Sequence, residues 1–546
     1  MMRQILGFFL MVFLGSAVYA GPVVNVGYIH DLIAQKWGIE VPYNQELTDL
    51  SVVANMEYLL AAIDVANKKL NGWPTTSYAR TEYATTAAAD SVATNEAVET
   101  LIKYMGAPFK IKTTEDTVEF SLSISAKGKF YINWGDGKED VIDRADTNET
   151  LYSHTYELPG EYDIEMGGKA TAYSSSNTVA AVSFKDNVNI KKVSGSLGYI
   201  FSTLANGGQP KFYSTFAGNT ALEGQIPPAL FYGVSGKPTK NMFYATFSGA
   251  TGLQGAVPVE LFEGVVGEPV EGVFYRTFEN CTGLTAVPGN LFAGISGPPA
   301  RDMFHGTFSG CTGISEIPNG LFAGINGAPA QRMYNATFYG CTGLRGSIPD
   351  ALFGVFDGAP QELMFGNTFF SCKGLTGAIP ANLFAGINGS PAKRMFEGTF
   401  NSCAALEYQV PATLFAGIAG VPAEKMFYNT FAGCSGLSGK LPGGLFGGIY
   451  GPPAVQMFYR TFFNCSGLTG FDGEIFGKIQ GDAQSGMFME MFYRAYDLTG
   501  PSATIEGVYL YDIWPDATNA QVGNMYKDDT GLDDYANIPS VWGGEK

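Results

Sequence analysis

The residues of this chain best able to do covalent chemistry are seven cysteines: Cys281, Cys311, Cys341, Cys372, Cys403, Cys434 and Cys465. In an exported chain a set of cysteines is ordinarily a disulfide framework. Here the odd count and a spacing of 30 or 31 residues put all of them in one phase of an internal repeat. Asn219 and Ala250 hold the same phase in two earlier copies, so the position calls for a small buried group rather than for sulfur chemistry. A ladder of reduced, structural thiols is expected, each a small, partly apolar core residue; pairing between neighbours is the alternative.

Acid–base and metal chemistry find little support. The three histidines, His30, His154 and His305, lie in three separate regions. There is no His-Glu-x-x-His, no Gly-x-Ser-x-Gly elbow and no Lys-bearing phosphate loop. Asp136, flanked by glycines, could ligate a metal or act as an acid, but a turn residue bonding its own backbone is the plainer reading. His154 reads in the same way as a packing residue. No catalytic residue, metal site or cofactor is expected. A polysaccharide-processing enzyme stays as a third possibility, because paired carboxylates come together only on folding.

Recognition is better supported. The residue after a repeated Met-Phe pair reads Tyr213, Tyr244, Tyr275, His305, Asn335, Gly366, Glu397, Tyr428, Tyr459 and Tyr493. That phase varies while its neighbours do not, so it should face solvent. Arg276, Arg460 and Arg494 adjoin the tyrosines, and tyrosine rings so placed suit contact with a protein or glycan. Lateral packing of neighbouring rings is the competing explanation.

The elements that must position these residues come from the repeat. Its anchor ends at Phe216, Phe247, Phe278, Phe308, Phe338, Phe369, Phe400, Phe431 and Phe462. In one copy Pro299 suits a helix start, Gly310 a helix stop, and Phe304 and Phe308 lie one turn apart. A short helix is therefore expected before each Cys, and a brief strand around Ile314 and Ile317 that Pro318 ends. One copy has too few apolar residues for its own core, so copies must stack. Strands stack ~4.8 Å apart and helices ~8–10 Å, which predicts curvature with the strands inside.

Thr337 to Pro349, Thr-Phe-Tyr-Gly-Cys-Thr-Gly-Leu-Arg-Gly-Ser-Ile-Pro, resembles the BspA-like leucine-rich repeats of bacterial surface proteins, with a longer unit than is usual there. The resemblance covers about residues 212–500 and implies adhesion or partner binding, with no catalytic residues. Upstream, Val118 to Ile124 alternates apolar and polar residues, the mark of antiparallel strands. Trp134-Gly135-Asp136-Gly137, His154-x-Tyr156 and Pro159-Gly160-x-Tyr162 resemble a PKD-type, immunoglobulin-like β-sandwich.

The expected order is a signal peptide over 1–20, a helical region over 21–110, the sandwich over 111–172 and a solenoid N-cap over 173–211. Repeats follow over 212–500, then a degenerate repeat and C-terminal cap over 501–546. The signal rests on Arg3, the apolar run Ile5 to Leu14 and Val18-Tyr19-Ala20. In the cap, Asp529 takes the Cys phase, which suits a polar, outward-facing last copy. The fold class expected is multidomain α+β: a helical N-terminal region, a small antiparallel β-sandwich, then a curved leucine-rich-repeat solenoid of short strands and short helices.

Gly at 70 of 546 residues and charged residues at 15% follow from such turn-rich, core-sharing copies. A net charge of −18 without a basic stretch disfavours nucleic acid, and no transmembrane segment is expected once the signal is cleaved. The expectation is an exported, extracellular, cell-surface or periplasmic binding protein with a protein or carbohydrate ligand. The runner-up is a structural envelope scaffold or spacer.

Overall fold

The computed structural model describes residues 109–546. The signal peptide expected over 1–20 lies outside the described residues. Of the helical region expected over 21–110, only Phe109 and Lys110 are described, and both belong to a strand.

Eight strands build the first part: β1 (Phe109–Thr113), β2 (Thr117–Ile124), β3 (Ala126–Asn133), β4 (Glu139–Arg144), β5 (Thr150–Gly160), β6 (Asp163–Tyr173), β7 (Val182–Ser183) and β8 (Ile190–Ser194). They form a five-stranded sheet in the order β4-β3-β6-β1-β8 and a three-stranded sheet in the order β5-β2-β7. Every pairing is antiparallel. Period-two burial follows the alternation in sequence: Phe120, Leu122 and Ile124 of β2 and Phe130 and Ile132 of β3 are buried, their neighbours less so. β7 and β8 come from the segment 173–211, and that segment also starts the repeats. Glu223 N donates to Lys191 O of β8 at 2.8 Å, and Phe184 N to Thr215 O at 2.8 Å. Rings of the two parts pack together as well, Phe109 on Phe216 at 6.3 Å and Phe184 on Phe216 at 5.4 Å.

The repeats depart from expectation. The segment before each Cys is a run of four-residue turns, not a helix. In the copy around Phe304, the N–H groups of Asp302, Phe304, Gly306, Phe308 and Gly310 donate to carbonyls of the next copy, at 2.7–3.1 Å. The N–H groups between them, of Met303, His305, Thr307, Ser309 and Cys311, close turns onto the carbonyl three residues back. Every fourth residue is left-handed: Asp302 at φ 57°, Gly306 at 62° and Gly310 at 71°. A left-handed residue in each turn stops a helix from propagating, and it sends alternate N–H groups along the stack instead. Two residues of each unit point inward, such as Thr307 and Phe308, and two point outward.

Strands within the repeats are as short as Gly255–Ala256 (β9) on Leu284–Ala286 (β10) and Gly439–Pro442 (β11) on Leu468–Asp472 (β12), both parallel. Elsewhere single parallel bridges, such as Gly297 to Ile325 and Gly389 to Ile418, join one copy to the next. The expected curved leucine-rich-repeat solenoid of short strands and short helices is thus overturned, and so is the α+β class. Among the described residues the α-helices are three four-residue turns: α1 (Leu197–Ile200), α2 (Leu510–Ile513) and α3 (Asn519–Val522). Without helices to space one side more widely, the expected curvature has no cause.

Columns of aromatic rings fill the interior. Phe278 stacks on Phe308 at 5.6 Å and 3°, and Phe274 on Phe304 at 5.6 Å and 4°. Phe292 stacks on Phe322 at 6.0 Å and 9° in a third column that closes on the second, with Phe322 4.6 Å from Phe304. Each such pair adds about 0.5–1.5 kcal/mol to the area it buries. After the last full copy, a hairpin of β13 (Thr504–Ile505) and β14 (Val508–Tyr509) precedes α2 and α3. At the start of α3, Gln521 Oε1 accepts from both Thr518 N at 2.8 Å and the Thr518 hydroxyl at 2.9 Å.

Candidate functional site

The four-residue turn unit decides which side chains reach the surface. The residue after Met-Phe occupies an outward position, and its neighbours along the stack are the same position in the copies before and after. The rings therefore form a ladder. Tyr213 stacks on Tyr244 at 4.5 Å and 7°, Tyr244 on Tyr275 at 4.5 Å and 2°, and Tyr275 on His305 at 4.5 Å and 25°. All four are half-buried. Burial, then the neighbouring phenols, push the Tyr244 hydroxyl up to about 12, so that ring stays neutral at ordinary pH. Asn335, Gly366 and Glu397 interrupt the column, and it resumes with Tyr428 on Tyr459 at 4.8 Å and 6°.

Tyr493 does not continue that column. Phe458 stacks on Phe488 and Phe462 on Phe492, so Met489 is the residue after Met-Phe in that copy. Tyr493 lies one turn unit further on and meets Phe463 edge to face at 5.5 Å. This second outward column also holds Tyr339 stacked on Phe370 at 4.7 Å. Sequence reasoning missed it because the repeat was read as a helix. Aligning copies on Thr-Phe rather than on Met-Phe brings Tyr339, Phe370, Phe463 and Tyr493 into one phase.

The arginines cap ring faces. Arg276 lies 5.3 Å from the Tyr275 ring centre, and Arg460 lies 5.2 Å from Tyr459 and 5.0 Å from Phe463. Arg494 and Lys527 both approach Tyr493, at 5.1 and 5.5 Å, and Lys425 approaches Tyr428 at 5.7 Å. Such cation–π contacts contribute about 0.5–1 kcal/mol each where exposed. Beside the first ladder, Arg332 holds the buried Asp302 with two hydrogen bonds of 2.7 Å, and His305 Nδ1 lies 3.4 Å from the same carboxylate. Burial alone would raise the Asp302 carboxyl, but Arg332 and His305 outweigh it and hold the group well below the usual carboxylate range.

All seven cysteines are free and buried. Each thiol donates to the carbonyl of a Phe in the preceding copy, from Cys281 to Phe247 at 3.1 Å through Cys372 to Phe338 and Cys465 to Phe431, both at 3.0 Å. Desolvation raises every one of these thiols, Cys341 and Cys434 to about 12, so none is poised as a nucleophile. A parallel ladder runs through the buried threonines, Thr307 Oγ1 donating to Phe274 O at 2.9 Å and Thr430 Oγ1 to Phe396 O at 2.9 Å.

In the sandwich, Asp136 Oδ1 accepts from Lys138 N at 3.0 Å, an Asx turn, and Asp136 Oδ2 lies 2.9 Å from His154 Nε2. Trp134 stacks on His154 at 4.9 Å and 9°, and Tyr156 donates to Trp134 O at 2.9 Å. Both candidate residues are committed to holding the turn between β3 and β4 against β5. Among the described residues no cluster of three or more His, Cys, Asp or Glu is placed to hold a metal ion, and no helix is long and apolar enough to cross a membrane. Compared with known proteins, the chain matches no family model, and no curated protein matches it.

Proposed function

We propose that this is an exported, non-enzymatic binding protein that recognises a protein or glycan partner through the outward tyrosine ladders of its stacked copies. The observation that carries the reading is the pair of half-buried, outward ring ladders, Tyr213-Tyr244-Tyr275 and Tyr428-Tyr459, with Arg276 and Arg460 beside them. Tyr and Arg dominate the energetics of protein interfaces. A ring already clamped between two copies has little rotamer freedom left to lose on binding, so more of the contact energy survives as affinity. The resemblance of Thr337 to Pro349 to repeats of bacterial surface proteins supports the same reading, and the signal-like first twenty residues support export.

Two measurements test it. Protease treatment of intact cells should remove the protein, because an adhesin is reachable from outside. Changing Tyr244, Tyr275, Tyr428 and Tyr459 together to Ala should weaken cell or glycan binding about tenfold or more, with the circular dichroism spectrum unchanged. Undiminished binding by a correctly folded variant refutes the tyrosine face.

A further inference from the structure

We propose that the C-terminal end of this face, the ridge from Lys425 to Lys527, docks an acidic peptide segment of a partner protein; the proposal rests on the binding-protein reading above. The ridge is continuous. Lys425 lies over Tyr428, Tyr428 stacks on Tyr459, and Arg460 bridges Tyr459 and Phe463. Phe463 meets Tyr493, on which Arg494 and Lys527 converge. It spans four successive copies that are hydrogen-bonded to one another, Asn429 N donating to Tyr459 O at 2.9 Å and Asn464 N to Tyr493 O at 2.8 Å.

Its charges are what single it out. Basic residues recur at the left-handed turn positions along the stack: Arg276, Arg332, Arg394, Lys425, Arg460 and Arg494. Arg276 is paired with Glu279, Arg332 with Asp302, Arg394 with Glu397 and Arg460 with Glu490. Glu424 feels the charge of Lys425 but is bonded to Lys393, and among the described residues no carboxylate forms an ion pair with Lys425, Arg494 or Lys527. Arg494 and Lys527 converge on one ring in a chain of net charge −18, so this ridge concentrates positive charge that an anionic partner can meet.

The geometry favours a peptide over a sugar. Tyr428 and Tyr459 cover each other's inner faces, and cations sit over Tyr428, Tyr459 and Tyr493. A sugar stacking on rings needs an open ring face, whereas carboxylates need the guanidinium fork and ammonium that remain presented. The overall negative charge opposes polyanions as large as nucleic acid, while a short acidic segment meets mainly the local positive field.

The test uses the full chain and a fluorescein-labelled peptide of about a dozen alternating Glu and Gly residues, read by anisotropy. Binding is expected to weaken about tenfold in Arg494→Gln/Lys527→Gln and less than about twofold in Lys373→Gln, an exposed lysine that belongs to neither ring column. Raising salt from about 50 to about 300 mM should also weaken it. Three results overturn the proposal: no binding, equal binding of the peptide with Gln in place of Glu, or a tighter complex with a heparin oligosaccharide or a DNA oligonucleotide through the same two cations. Loss of cell binding in the four-tyrosine variant without any peptide binding overturns the acidic segment and leaves the binding-protein reading standing. Peptide binding that needs Arg494 and Lys527, in a protein whose four-tyrosine variant keeps its cell binding, supports the ridge and removes the wider reading.

Discussion

At the scale of single residues, one phase of the repeat shows how the stack uses polarity. The Cys thiol fills it in seven copies with one weak donor aimed at a carbonyl of the preceding copy, small enough to leave no void. At the last copy Asp529 takes the phase, and the expectation of a polar, outward-facing residue is wrong: Asp529 is fully buried. Its Oδ1 accepts from Ala495 N at 3.1 Å, and its Oδ2 has no partner among the described residues. The sequence showed the phase but not that Asp529 is held inside, against Ala495 of the preceding copy and near Tyr535 of the closing turns. Burial pushes the Asp529 carboxyl up to about 9 from an ordinary 3.8. Between those values the folded protein holds a proton that the unfolded chain releases, so the contribution of this group to stability is full below pH ~4 and falls as pH rises toward ~9. Asp529→Cys, which restores the residue of the other copies, should stabilise the protein at pH 8 by about 1–3 kcal/mol by removing an unsatisfied buried acceptor, and should flatten that slope. Urea midpoints at pH 5 and pH 8 measure both effects; a wild-type protein equally stable at the two values, or a variant with the same slope, contradicts the account.

At the scale of elements, the helix that the sequence suggested and the turn ladder that forms share a period. Phe304 and Phe308 lie four apart, which fits one face of a helix and fits equally two successive four-residue turns. What separates them is the residue type at the left-handed corner, where Asp302, Gly306 and Gly310 are followed one copy later by Arg332, Ala336 and Gly340. Gly, Asn and Asp recur there, yet Arg, Lys and Ala also appear, and these diluted the signal. Such residues accept the corner because each turn gains a hydrogen bond to the next copy, as with Ala336 N to Gly366 O at 2.8 Å. Leu363 is the poorest occupant, at φ 53°. A left-handed L-residue costs about 1–2 kcal/mol, and Asn bears it better than Leu. Leu363→Asn should therefore raise stability by about 0.5–1 kcal/mol, measured as a shift in the denaturant midpoint with unchanged slope. A loss of stability would mean that packing of the half-buried Leu363 side chain outweighs the strain at its backbone.

At the scale of the whole molecule, the sandwich and the repeats are one fabric. The strands β2 to β6 were legible from alternation over 117–170 and from the Trp134-Gly135-Asp136-Gly137 turn, because their pattern is local; β1, which begins inside the region expected to be helical, was not. β7 and β8 were not: Val182–Ser183 and Ile190–Ser194 are short, and they become strands only by pairing with β2 and β1. The same short segments are the first rung of the stack, with Ala181 N donating to Lys211 O at 2.8 Å and Thr215 Oγ1 to Val182 O at 3.0 Å. Each sheet thus ends in a strand that the repeats hold in place, and Phe109 and Phe216 close one core across the join. The segment 111–172 taken alone loses β7, β8 and most of β1's support, leaving Phe120, Phe130 and Ile132 partly uncovered. Below ~70 residues a chain has little core to spare, so that fragment should show no dispersed amide spectrum. A fragment over 109–282, which keeps both edge strands and two further copies, should be folded. Were 111–172 to fold on its own with native-like stability, the sandwich would be a separate module on a flexible join, and a ligand held at the far ridge could not be positioned by it. A folded 109–282 beside an unfolded 111–172 instead makes the stack an extension of the sandwich, so that whatever anchors the one fixes the direction in which the other presents its tyrosines.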